Sequence, residues 1–63
     1  MFVVKVYGYW GECFVGKNHD PCFKQKNALL FKTRQAGAVY IMKHFRQWEN
    51  VVNKTSTMVV KEV

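Results

Sequence analysis

Thr33-Arg34-Gln35-Ala36-Gly37-Ala38-Val39-Tyr40-Ile41-Met42-Lys43-His44-Phe45-Arg46-Gln47-Trp48-Glu49 is the stretch whose period decides the fold. Apolar residues recur at Ala38, Ile41, Met42, Phe45, Trp48 and, beyond it, Val52, at the spacings of three and four that build one stripe of an amphipathic helix. Thr33 is placed to cap it, because its hydroxyl can accept from an early helical amide. A helix from about Arg34 to Glu49 follows, with Gln35, Lys43, Arg46, Gln47 and Asn50 on the opposite face.

Outward from that helix the chain reads as strands. Phe2, Val4 and Val6 alternate with Val3, Lys5 and Tyr7, the period of two of a strand from Phe2 to about Tyr9. Trp10-Gly11 allows a reversal and Glu12-Cys13-Phe14-Val15 has the β-branched and aromatic character of the returning strand, closed by Gly16. Gly16 to Asn27 is rich in turn chemistry, with Asn18-His19-Asp20-Pro21 at its centre, and reads as the longest loop. Ala28-Leu29-Leu30-Phe31-Lys32 reads as a short third strand, and Thr57-Met58-Val59-Val60-Lys61 as a last one after the polar break Asn53-Lys54-Thr55-Ser56. The expectation is an α+β fold of β-β-β-α-β order, a small antiparallel sheet covered on one face by a single amphipathic helix.

At 63 residues the chain supports one domain, residues 1–63, without linkers or repeats. Hydrophobic residues make up 49%, with five Phe, three Tyr and two Trp, too much apolar surface for a disordered chain. A core this small contributes few kcal/mol, so spare aromatic area is expected to serve a partner or a homodimer. The start Met1-Phe2-Val3-Val4 is interrupted by Lys5 and reads as neither a signal peptide nor a membrane span, which implies a cytoplasmic protein with thiols at Cys13 and Cys22.

Catalytic chemistry finds little support in the residues. Glu12, Asp20, Glu49 and Glu62 stand in different elements, and no glycine-rich phosphate loop is present, so the reading is a non-enzyme without cofactor. Cys13, His19, Cys22 and His44 are the only thiols and imidazoles, but eight residues separate Cys13 from Cys22 where a zinc knuckle has two to four, and no metal is expected. Charge is the unusual property. Ten basic residues against four acidic give a net +6, and Lys17, Lys24, Lys26, Lys32 and Arg34 cluster in and just after the long loop with Asp20 as their only opponent. Such a field attracts nucleic acid or acidic protein surfaces, or serves only solubility. Tyr7, Tyr9 and Trp10 are the candidate aromatic anchors, able to stack on bases or to fill a protein interface.

Phe2-Val3-Val4-Lys5-Val6, then Ala28-Leu29-Leu30-Phe31-Lys32-Thr33 leading into a helix with Ala36 and Ala38, then Met58-Val59-Val60-Lys61-Glu62-Val63, resemble the small proteins of phages and prophages of Gram-positive bacteria. The resemblance spans most of the chain, rests on generic elements and carries over no catalytic residue. It implies a mobile-element accessory protein that binds a host protein or ribonucleoprotein in the host cytoplasm, with inhibitors of defence nucleases such as anti-CRISPR proteins as one such class. The alternatives are a small basic nucleic-acid-binding module and, third, a metal-dependent structural domain.

Overall fold

The computed structural model describes residues 1–8, 11–49 and 58–63. Its elements are β1 (Phe2–Gly8), β2 (Gly11–Val15), β3 (Pro21–Cys22), α1 (Arg34–Trp48) and β4 (Met58–Glu62), with a single 3-10 turn at Gln25–Asn27. The four strands form one antiparallel sheet in the order β3-β2-β1-β4, and the helix precedes the last strand. This is the expected α+β arrangement. Tyr9, Trp10, Val52 and Thr57 lie outside the described residues.

The third strand is not where the apolar run suggested. Ala28–Lys32 makes only two isolated bridges, Gly16 with Ala28 and Phe2 with Phe31, while the strand is the short Pro21–Cys22 pairing with Phe14 and Val15. Two hydrogen bonds explain the exchange. Gly16 N–H donates to the Asp20 carbonyl at 2.7 Å and His19 N–H to the Gly16 carbonyl at 2.9 Å, a tight reversal that returns the chain alongside β2 within a few residues. His19 takes a left-handed φ of 62°, and a side chain at Gly16 would strike Asp20, so the turn requires that glycine. The later run Ala28–Phe31 then crosses between strands. Leu29 donates to Val15 O at 2.9 Å, and Phe2 and Phe31 exchange both backbone bonds at 2.8 Å.

Thr33 caps α1 as expected, its Oγ1 accepting from Ala36 N–H at 3.0 Å. The core comprises Val4, Val6, Cys13, Val15, Met58, Tyr40 and Trp48, with Leu29, Phe31, Ile41 and Phe45 packed against it. The helix therefore meets the sheet through Gly37, Tyr40, Ile41, Phe45 and Trp48, and not through the whole expected stripe. Met42 is 81% exposed and Ala38 lies on the surface. The rotation of the helix follows from Gly37, where a methyl group would sit 3.0 Å from Val60: the one position without a side chain faces the sheet and permits close approach.

Candidate functional site

Alternation along the strands sends Val4, Val6, Cys13, Val15, Val60 and Met58 toward the helix, and Val3, Lys5, Tyr7, Glu12, Phe14, Cys22, Val59 and Lys61 to the other face. On this outer face Val3 is fully buried and Tyr7 and Phe14 are half-buried. Lys5 sits between the two rings, its Nζ 5.5 Å from the Tyr7 centroid and 6.0 Å from that of Phe14, and forms an ion pair with Glu12. That hydrogen bond to Glu12 raises the Lys5 pKa. The outer face thus has an aromatic pair, but its central cation is already engaged by a carboxylate.

The expected basic residues stand elsewhere. Lys17, Lys24, Lys26, Lys32 and Arg34 are all exposed, around the Gly16–Asp20 reversal, the 3-10 turn and the start of α1. Arg34 lays its guanidinium 5.2 Å from the Phe2 ring centroid, and so is held against the N-terminal strand. Among these cations projects Phe23, 68% exposed, with Leu30 half exposed on the same stretch of chain. Sequence reading passed over Phe23 in favour of Tyr7, Tyr9 and Trp10. Its setting was nevertheless visible: an aromatic between Cys22 and Lys24, in a run of turn residues, has no periodic apolar neighbours to pack with.

A second cluster was missed. The rings of His19 and Tyr40 stack with centroids 5.4 Å apart, and those of Tyr40 and His44 at 4.4 Å, with Phe31 tilted against Tyr40 at 5.5 Å. Tyr40 Oη lies 3.3 Å from Trp48 Nε1 and 3.0 Å from His19 Nδ1. Indole N–H can only donate, so the arrangement that gives every proton an acceptor runs from Trp48 N–H to Tyr40 O, and from Tyr40 O–H to His19 Nδ1. This chain fastens the reversal to α1. No periodicity in the sequence links residue 19 to residue 40, which is why only the folded chain reveals it.

The four thiols and imidazoles do not assemble. Cys13 faces the core, whereas Cys22 opposes Phe14 on the other face and its thiol donates to Lys24 O at 3.0 Å. His19 and His44 approach to 5.4 Å between centroids, and among the described residues no three of His, Cys, Asp or Glu converge. Burial pushes the Cys13 thiol up, partly opposed by a backbone hydrogen bond from Cys22, which works against a thiolate nucleophile there. An open groove of about 520 Å³ runs beside the helix, lined in part by Phe31, Thr33, Ala36, Tyr40 and His44. Its volume falls within the range of small-molecule sites, but the groove is broadly open to solvent.

No family model, curated protein or solved structure matches the chain. Among the described residues no helix is long and apolar enough to cross a membrane.

Among the described residues, three groups have raised pKa values that bear on stability at alkaline pH. Burial raises the thiol of Cys13 above its ordinary 9.0 and the phenol of Tyr40 above 10.0, the latter partly offset by the Trp48 hydrogen bond, and the Glu12 hydrogen bond raises Lys5 above 10.5. In each case the folded protein holds the proton more tightly than the unfolded chain does. The resulting stabilisation is complete below the ordinary values and is lost as pH rises through the raised ones. Thermal melts should therefore show a lower midpoint at about pH 10.5 than at about pH 7.5, with part of the loss removed by Tyr40→Phe. Equal midpoints would contradict these assignments.

Proposed function

We propose that the chain is a non-catalytic binding protein that presents the exposed Phe23, in the segment that also carries the exposed Lys17, Lys24, Lys26 and Lys32, to an acidic surface of a larger macromolecule. The observation that supports this most is a 68% exposed Phe23 in the most cationic stretch of a protein of net charge +6. Leaving so much aromatic surface in water is unfavourable, and cations around it match the usual division of an interface into an apolar anchor and a charged surround. In the setting implied by the phage-protein resemblance, the partner is a host protein or ribonucleoprotein in the cytoplasm, a defence nuclease such as a CRISPR effector being one example. The sign of the charge narrows how such an inhibitor would work. A strongly positive protein is repelled by the cationic channel that holds nucleic acid, so it would dock on an acidic face or on the bound nucleic acid and would not mimic the substrate.

Nucleic-acid binding is the second reading, favoured by the Tyr7 and Phe14 rings on the outer sheet face. Glu12 opposes Tyr7 on that face and pairs with Lys5, which weakens the local attraction for phosphate. Titration of a labelled single-stranded 20-mer across salt concentrations separates the two. A phosphate-driven site using three to five cations gives a log-log slope of about −2 to −3.5. Under the protein-partner reading the oligonucleotide binds only weakly at about 0.15 M salt. Submicromolar binding with a steep slope, abolished by Tyr7→Ala together with Phe14→Ala, would transfer the function to the sheet face.

A further inference from the structure

The side-chain link between the Gly16–Asp20 reversal and α1 depends on an uncharged His19. Tyr40 Oη is shared, with Trp48 Nε1 3.3 Å from it and His19 Nδ1 3.0 Å from it. Trp48 and Tyr40 are buried, whereas His19 is exposed and can take up a proton from water. Indole N–H only donates, so the phenol O–H uses the bare Nδ1 of His19 as its acceptor. A protonated imidazole carries N–H at both nitrogens. Tyr40 Oη would then face two donors while its own proton lost its acceptor.

His44 adds to the conflict. Its ring centroid lies 4.4 Å from that of Tyr40 and 5.4 Å from that of His19, and its Nδ1 is 3.2 Å from Gln47 Oε1, so it can charge without giving up a partner. Stacking on the Tyr40 ring favours an imidazolium at either position, but at His19 the charge also breaks a hydrogen bond, and two charged rings at this separation repel. The other titratable or charged side chains beside this pair are Lys17 and Asp20 on the reversal and Lys43 on α1. Asp20 favours charge on His19, while both lysines oppose it.

We propose that His19 is an acid-sensitive latch: uptake of a proton by its ring breaks the hydrogen bond with Tyr40 and releases the Gly16–Asp20 reversal from α1. Imidazole is the side chain whose charge changes between about pH 5 and 8, so the latch is closed at neutral pH and opens in mild acid. The left-handed φ of 62° at His19 favours release once the bond is gone, because a side chain is costly in that conformation. The reversal carries Lys17 and leads through β3 into Phe23, so acid also weakens attachment to the partner, a consequence that rests on the Phe23 reading.

Amide hydrogen exchange of the full chain, followed by NMR at about pH 7.5 and about pH 5.0 and corrected for intrinsic rates, tests the latch without any partner. Failure of the Phe23 reading therefore leaves this test unchanged. Protection of the Gly16 and His19 amides, which donate to Asp20 O and Gly16 O, should fall about tenfold at the lower pH, while that of Phe2 and Phe31 changes less than about twofold. His19→Asn places an amide oxygen near the Nδ1 position, tolerates the positive φ and does not titrate, so the reversal should stay protected at both pH values. Tyr40→Phe removes the proton that needs the acceptor, so protection of the reversal should be low at both. Wild-type protection undiminished at about pH 5.0, or an acid response retained in full by a folded His19→Asn variant, would overturn the proposal.

Discussion

Trp48→Ala should leave most of the protein unfolded at room temperature. The indole is 3% exposed, lies in the cluster with Val6, Val15 and Met58, and donates its N–H to Tyr40. Truncating a core aromatic costs about 3–5 kcal/mol. A single core in a chain of this size seldom provides more than about 3–5 kcal/mol of net stability, so one substitution consumes nearly all of it. The loss is compounded because Tyr40 is left without its donor and the chain reaching His19 loses its anchor. Phe45→Ala, which the apolar stripe alone would rank as severe, should cost less because Phe45 is only half-buried, and Met42→Ala should stay within about 0.5 kcal/mol. Urea unfolding followed by circular dichroism checks the order. A Trp48→Ala protein as stable as wild type would mean that the helix docks differently.

The second large effect concerns encounter with the proposed acidic partner. Each Lys→Glu change subtracts two charges, so Lys24→Glu with Lys26→Glu lowers the net charge from +6 to +2 and inverts the sign beside Phe23. Steered association at low salt exceeds unsteered association by about two to three orders of magnitude, so a fall of roughly tenfold or more in association rate is expected at low ionic strength, shrinking as salt is added. Phe23→Ala acts on the other rate. An aromatic anchor is worth about 2 kcal/mol or more, which corresponds to dissociation about 30-fold faster with association little changed. All three residues are exposed and outside the core, so neither variant should alter the melting midpoint by more than a few degrees.

Periodic features were legible in the sequence and contacts between distant segments were not. The alternation in Phe2–Tyr7, the Thr33 cap and the three-four spacing after it located β1, β2, β4 and α1 to within a residue or two. The helix was read with the wrong rotation because it has apolar residues on two faces: Ala38 and Met42 are at helical spacing with Ile41 and Phe45, and only the bare Cα of Gly37 against Val60 decides which side turns inward. The third strand was misplaced for a related reason. Ala28–Phe31 has strand composition, but its backbone bonds are divided between Val15 and Phe2, while Pro21–Cys22 gains its partner from a glycine turn. For the site, the cations were visible as a cluster in sequence. Phe23 and the His19, Tyr40, His44 and Trp48 cluster required the exposure and the long-range contacts of the folded chain.

The proposed binding through Phe23 and the exposed lysines of the same segment can be tested on the protein itself. Its most direct test is quantitative capture from a nuclease-treated lysate of the source cell, comparing wild type with the triple variant Phe23→Ala/Lys24→Glu/Lys26→Glu, both shown to be folded. A protein partner should be recovered near one-to-one with wild type and reduced at least tenfold with the triple variant. Equal recovery by the two proteins, or no stoichiometric partner for wild type, would contradict it.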